Sequence, residues 1–317
     1  MRFSPIMRAL ALALVAPLLR ADPVLFVYFK EPAKSGVYYA LSEDGYHFQT
    51  LNGGNPWLRP SEEGELMRDP FITRGPDGLF HMVWTWEWRA QSIGYANSPD
   101  LVRWSAQRQI PLMAGTPGAR NTWAPEIYWD GKQSKWLVIW SSVVEGRNAT
   151  NRIYHAFTRD FRSFTTPQIF FDPGYEVIDA TLTYTRGRYW MVFKDERPTP
   201  LHKEIKIAQG PTLEGPWSSI SGPLTESWSE GPSILEIGGR YVIYYDHYRD
   251  PRRYEAIESS DLERWTPIND RISLPPGCKH GSFLRITEEE AERLRLARPD
   301  GRGEANVRRR RRLERRG

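Results

Sequence analysis

The sequence has a single cysteine, Cys278, among its 317 residues, so no internal disulfide can staple the fold. It also has little net charge, with a formal value of +4 at pH 7. The excess comes from the two ends: residues 301–317 hold eight Arg and two Glu, and residues 1–21 hold three Arg, which leaves residues 22–300 at −5. A central segment of this charge lacks the basic surface that nucleic acids require, so we expect no nucleic-acid partner.

Long apolar runs are scarce as well. The stretch at residues 9–19 follows Arg2 and Arg8 and is too short to span a membrane. It predicts a secretory signal peptide at residues 1–21, and therefore a secreted or periplasmic protein. At the other end, residues 291–317 are expected to hold the end of a short helix, with Thr287 as its N-cap, and a disordered Arg-rich tail. Binding of a polyanion by that tail is the alternative.

Aromatic residues are abundant, with 13 Trp, 15 Tyr and 13 Phe, and many of them recur in register. A strand-like run, a polar turn and an aromatic residue occur together five times, ending at Phe48, Trp104, Phe164, Trp217 and Trp265. Successive copies along residues 104–265 are spaced by 48 to 60 residues. Strand-rich units of this size are typical of propeller blades.

Two further runs precede each turn and complete the repeat. One is apolar and aromatic, at residues 24–31, 80–88, 135–142, 188–196 and 240–248. The other, upstream of it, lies at residues 68–74, 123–130, 178–185, 230–237 and 280–287. The last of these has no partner runs after it, whereas residues 24–48 have none before them. The sequence therefore predicts an all-β, five-bladed β-propeller over residues 22–290, closed by pairing of 280–287 with the N-terminal strands. A sandwich of unrelated strands is the alternative, although sandwiches rarely repeat in register.

The upstream runs would line the central channel, and acids stand near the start of three of them: Asp69, Asp179 and Glu230. The other two runs offer Trp123 with Glu126, and His280. Carboxyl groups brought into one pocket shift one another's pKa values, and a pair of them is the equipment of glycoside hydrolysis. The alternative to a functional role is a structural one, in which Asp69 only forms a turn and Glu230 only holds a loop. Asp179 lies in an apolar context, where a charge needs a reason.

The motifs RDPF, TWAPE, IDATL, SEGPS and KHGSF together resemble glycoside hydrolase family 43, over about residues 24 to 290. Members of that family are five-bladed propellers that cleave arabinofuranosides and xylosides. The resemblance implies that Asp69 is the general base, Asp179 tunes the acid and orients substrate, and Glu230 is the general acid. It also implies that Trp123 forms a wall of the sugar pocket and that His280 lines the channel beside a bound calcium or water. No cofactor is required, and a structural calcium is the one metal to consider.

The expected reaction is single-step inversion on an oligosaccharide or polysaccharide, with an α-L-arabinofuranosidase favoured over a β-xylosidase. Trp86 is a further candidate for the pocket, with core packing as the alternative. Arg197, in the charged cluster at residues 194–197, is expected to bond the sugar unless it belongs to a salt-bridged loop. A propeller glycosidase that cleaves fructosides is a rival interpretation. Enzymes of that class resemble one another in a Glu-Cys acid motif, whereas in this sequence Gly231 follows Glu230. The other rival is a carbohydrate-binding propeller without catalysis. The sequence carries no signal for oligomeric state.

Overall fold

The structure, a computed structural model, describes residues 21–61, 64, 66–146 and 148–298. Residues 1–20 of the expected signal peptide and residues 299–317 of the Arg-rich tail lie outside this range, so both remain predictions. Within the described residues, none of the helices is long and apolar enough to cross a membrane.

The predicted runs form the strands of five antiparallel sheets. Blade five opens the chain with β1 (Val24–Phe29), β2 (Tyr38–Ser42) and β3 (Gln49–Thr50), and blade one holds β4 (Arg68–Arg74), β5 (Phe80–Thr85), β6 (Ile93–Ser98) and β7 (Arg108–Ile110). Blade two holds β8 (Trp123–Asp130), β9 (Lys135–Val144), β10 (Asn148–Thr158) and β11 (Gln168–Phe171). Blade three has three strands, β12 (Val177–Thr185), β13 (Arg188–Asp195) and β14 (Glu204–Gly210). Blade four holds β15 (Ser229–Ile237), β16 (Arg240–His247), β17 (Arg253–Ser259) and β18 (Thr266–Pro267), and β19 (Lys279–Arg285) follows it.

The ring closes as predicted, because β19 pairs with β1 in the sheet of order β19-β1-β2-β3. In that antiparallel pair Val24 lies opposite Arg285 and Val27 opposite Ser282. The five innermost strands, β4, β8, β12, β15 and β19, each contact their two neighbours around the ring. Five-bladed propeller architecture is therefore confirmed.

The aromatic excess serves packing between blades. Alternate residues of β9 point to opposite sides: Trp136 and Val138 pack against blade one, while Leu137 and Ile139 pack against blade three. The same arrangement gives one hydrophobic core between each pair of adjacent blades. Each blade is thus buried on both faces, which explains why its central strand reads as a continuous apolar run.

The recurrent polar turn has a common hydrogen-bond pattern in four blades. In blade one, Asp100 Oδ1 accepts from the amides of Val102 (3.0 Å) and Arg103 (2.8 Å), and Leu101 between them has a φ of 66°. The equivalent carboxylates that accept two turn amides are Asp44, Asp160 and Asp261. Such Asx turns direct the chain to the aromatic residue that ends each repeat.

Two short 3₁₀ segments, Asn52–Gly54 and Asn269–Arg271, and one helix, α1 (Glu288–Leu296), complete the described elements. Thr287 caps α1 as predicted, in a capping box with Glu290. The apolar face of α1 packs into the core between blades five and one.

Candidate active site

All five innermost strands have a register irregularity at their start, and in four of them one residue there adopts left-handed backbone. The residues that lie at this irregularity, Asp69, Ala124, Asp179 and Gly231, have φ angles of 49°, 43°, 55° and 58°. Left-handed backbone is uncommon outside glycine, is more frequent for Asp than for most residues, and is concentrated at functional sites. Asp69 and Asp179 thus occupy equivalent positions in blades one and three.

Glu230 does not share that position, which refines the sequence alignment of the three acids. Glu230 lies one residue earlier and pairs with Asp246 of β16, as Arg68 pairs with Thr85 in blade one. Gly231 takes the left-handed position, where a Cβ would lie 2.3 Å from His280 Cγ. The glycine therefore lets His280 pack against this strand, while the acid projects from the preceding residue.

The second-strand residue opposite each irregularity contacts the innermost strand of the next blade. Thr85 Oγ1 accepts from Ala124 N (2.8 Å), and Ser141 Oγ accepts from Asp179 N (3.2 Å). In the other blades the equivalent residue contacts a side chain of the next innermost strand. Lys194 forms an ion pair with Glu230, Asp246 forms one with Lys279, and the Phe29 ring lies under the guanidinium of Arg68. Five equivalent positions with different side chains therefore connect the blades around the channel.

Asp69 is held in its ionised form. Its Oδ2 accepts from Thr85 Oγ1 (2.7 Å), and its Oδ1 lies 3.3 Å from Nδ1 of His280. Burial alone would raise the pKa of Asp69, but the bonds from His280 and Thr85 and the charge of Arg68 hold it below its usual range. Asp69 is therefore a carboxylate over the neutral pH range.

Asp179 lies in the opposite electrostatic situation. Its Oδ2 accepts from the amide of Gly231 (3.0 Å), which is the peptide immediately after Glu230. Burial, aided by the charges of Glu230 and Asp69, raises the pKa of Asp179 to about 6 against the opposing effect of His280 and Lys194. The side chain is placed to fix the backbone that carries Glu230.

Glu230 is the most accessible of the three acids, with 27% of its side chain exposed. Its Oε2 lies 3.1 Å from Nζ of Lys194, whose ammonium group also lies 3.3 Å from the Tyr248 hydroxyl. Burial would lower the pKa of Lys194, but Glu230 and Glu196 outweigh it and raise that pKa. In the charged cluster at residues 194–197, Lys194 is thus the member that reaches the acid.

Arg197 does not reach that carboxyl. Its Nε and Nη2 donate to the two oxygens of Asp195 at 2.9 and 2.5 Å, and its guanidinium lies over the ring of Tyr175. These contacts match the salt-bridged alternative that the sequence left open, and the expected bond from Arg197 to a sugar stays a prediction. The residue type alone favoured Arg197, whereas the register of β12 and β13 sets Lys194 beside the channel.

His280 joins the acids of three blades. Burial would lower its pKa, but Asp69, Asp179 and Glu126 raise it to about 9. Glu126, buried on β8, accepts from the Tyr128 hydroxyl, and its pKa is raised to about 8, mainly by burial. At neutral pH the channel therefore contains an imidazolium among carboxyl groups.

His280 Nδ1 lies 3.3 Å from Asp69 Oδ1, and a structural calcium or water beside it stays a prediction. Elsewhere in the described part of the chain, Asp195, His202 and Glu204 have ligand atoms within 4.8 Å of one another. Arg197 and Lys206 already bind the Asp195 oxygens, so that group is compensated by protein cations.

Aromatic side chains lie beside Arg68, the residue that precedes Asp69. Trp123 donates from Nε1 to the carbonyl of Trp88 (2.9 Å), the two rings meet edge to face, and 50% of Trp88 is exposed. The guanidinium of Arg68 lies 4.2 Å from the Trp88 ring. Trp86, by contrast, is 3% exposed and packs in the core between blades five and one, so it presents no wall to a sugar.

Carboxyl groups brought together in one site are the equipment that glycoside hydrolysis uses. The chain matches the glycosyl hydrolase 43-related family, described as "Probable glycosyl hydrolase domain", over residues 22–292, and belongs to it. The motifs of the chain predicted this relationship to family 43, and the family match confirms it.

The chain is also similar to individual proteins of known sequence or structure. The chain is 27% identical over 224 residues to an α-L-arabinofuranosidase of Bifidobacterium longum subsp. longum, covering 61% of this chain and 21% of the relative. It therefore spans about a fifth of the length of that curated relative. The crystal structure of an α-L-arabinofuranosidase from Lactobacillus brevis has a TM-score of 0.55 at 19% identity, covering 71% of this chain and 80% of that one. The exo-β-1,3-galactanase 1,3Gal43A from Clostridium thermocellum has a TM-score of 0.54 at 14% identity, covering 66% and 50%. At these identities the solved structures share the fold.

Proposed function

We propose that this chain removes terminal α-L-arabinofuranosyl residues, or less favourably xylosyl residues, from oligosaccharides or polysaccharides by an inverting single displacement. The observation that carries the proposal is the connection among Asp69, Asp179 and Glu230. His280 contacts Asp69 and packs against Gly231, and Asp179 binds the Gly231 amide. Three carboxyl groups from three blades are thereby linked at the same end of the innermost strands.

Glu230 is the proton donor in this proposal. It delivers its proton to the glycosidic oxygen as the bond from that oxygen to the anomeric carbon breaks, and becomes a carboxylate. Its partial exposure gives a leaving group access to the carboxyl. Proton donation of this kind contributes on the order of 10²–10⁴ in rate.

Asp69 is the base. Its carboxylate takes a proton from the water that attacks the opposite face of the anomeric carbon, while that water's oxygen forms the new bond. The bonds from Thr85 and His280 keep Asp69 ionised for this step and fix its orientation. Inversion requires room for the water, that is, about 6.5–9.5 Å between the two carboxyl groups.

Asp179 positions the donor through its bond to the Gly231 amide. Its carboxyl group also interacts electrostatically with that of Glu230. The arabinofuranosyl preference rests on the name of the curated relative, whose matched segment is a fifth of its length. Because a galactanase shares the fold, the sugar has to be identified by assay rather than from the architecture.

A panel of aryl and alkyl glycosides tests the proposal. Wild-type protein should hydrolyse an arabinofuranoside or xyloside, and Glu230→Gln and Asp69→Asn should each lose about 10²-fold or more in kcat on an alkyl glycoside. Circular dichroism and thermal unfolding should show that both variants are folded. Wild-type rates in either variant would refute the assignment, and oligosaccharide binding without release of any product would favour the non-catalytic alternative.

A further inference from the structure

Lys194 is the least expected charge at the channel, because 1% of its side chain is exposed. A buried lysine requires paired anions, and here Nζ lies 3.1 Å from Glu230 Oε2 and 2.6 Å from Glu196 Oε2. The Tyr248 ring faces the same ammonium group at 4.5 Å. Lys194 is therefore held by a complete set of partners, of which the proposed proton donor is one.

The corresponding positions in the other blades carry no cation. They are Phe29, Thr85, Ser141 and Asp246, each opposite the irregular start of an innermost strand. Thr85 and Ser141 bond backbone amides of the next blade, whereas Lys194 contacts a side chain that the reaction uses. The cation is thus specific to the blade that precedes Glu230.

We propose that Lys194 is a positioning residue for proton donation: its ammonium group orients the Glu230 carboxyl and stabilises the negative charge that forms when the proton leaves. This inference rests on the proposed function. Glu196 gives it a necessary counterpart, because its carboxylate balances Lys194 while Glu230 is still protonated. The ammonium group can then stabilise the negative charge that develops on Glu230, and no other protein group has to change its own charge.

The charges around Glu230 define what the removal of Lys194 would do. Lys194 and Arg68 are cations, Asp179 and Asp246 are acids, and Tyr248 is a neutral phenol at neutral pH; all five interact electrostatically with Glu230. Of the two cations, Lys194 is the one in direct contact. Without it the carboxylate loses its contacting cation, while Asp179 and Asp246 still disfavour it, so proton donation becomes harder and the alkaline limb of the pH profile should move to higher pH.

The test is the dependence of kcat/KM on the leaving group in Lys194→Gln. A nitrophenolate leaves without a proton, whereas an alkoxide or sugar needs one. We expect the ratio of aryl to alkyl glycoside kcat/KM to rise about tenfold or more over wild type, and the alkaline limb of the alkyl-glycoside pH profile to move up by about one pH unit. The ratio is independent of the fraction of protein that is folded.

Two further variants guard against a purely structural effect. Glu196→Gln removes the balancing carboxylate, so Lys194 acts more strongly on Glu230 and the same limb should move to lower pH. This opposite shift is readable even when Lys194→Gln does not fold. Lys194→Arg should restore part of the wild-type ratio by retaining a cation.

Lys206→Gln is the matched control. Lys206 is also buried in blade three, but its Nζ binds Asp195 (2.8 Å). Its removal should lower stability and leave both the ratio and the pH limb unchanged. An unchanged aryl-to-alkyl ratio and an unchanged alkaline limb in Lys194→Gln would overturn the inference while glycosidase activity stands. Alkaline limbs that move in the same direction in Lys194→Gln and Glu196→Gln would overturn it as well. Failure of wild type on every glycoside would instead count against the proposed function.

Discussion

At the scale of single residues, chemically similar carboxyl groups receive different properties from their surroundings. Asp69 accepts a bond from Thr85 and faces an imidazolium, so it stays ionised. Asp179 is buried beside other acids, and its pKa rises to about 6. Neither difference is visible in the residue types, because each depends on which side chain the neighbouring blade supplies.

His280 should make stability depend on pH. Its folded pKa, about 9, exceeds its ordinary value of about 6.5, so the protein gains stability from the imidazolium below pH 6.5 and loses it as pH rises toward 9. Urea titrations at pH 6.5 and at pH 9 measure this effect. Between the two pH values the unfolding free energy should fall by on the order of 2–4 kcal/mol more in wild type than in His280→Gln. Equal changes in the two proteins would show that His280 is not the responsible charge.

At the scale of elements, the blade repeat was predictable and the start of each innermost strand was not. Turn residues and aromatic runs recur at a period that the sequence displays, and β5, β9, β13 and β16 lie where those runs predict. The one-residue offset of Glu230 against Asp69 and Asp179 arises from pairing with the second strand. Local sequence does not encode that register, and for the same reason Arg197 was favoured over Lys194.

The Asx turn predicts the effect of a turn mutation. Asp100→Ala removes the acceptor of two backbone amides, and we expect it to lower the unfolding free energy by about 1–3 kcal/mol. Glu263→Ala is the control: Glu263 is an exposed acid in the equivalent turn of blade four, where Asp261 is the acceptor. Chemical denaturation measures both, and an equal loss in the two variants would mean that the turn carboxylate has no special role.

At the scale of the whole molecule, ring closure brings residues far apart in sequence to one channel. Pairing of β19 with β1 carries His280 to Asp69, and the ring order sets Asp179 beside the strand of Glu230. Sequence repetition predicted this closure because both ends had incomplete blades. It could not give the separation of Asp69 and Glu230, which depends on the diameter and tilt of the assembled ring.

The central claim is that Asp69 and Glu230 act from opposite faces of one anomeric carbon. Proton NMR during hydrolysis of an arabinofuranoside or xyloside by the wild-type chain follows the anomer that is released first. The account predicts that this sugar has the configuration opposite to that of the substrate and only later mutarotates to equilibrium. First release of the retained anomer would contradict the account.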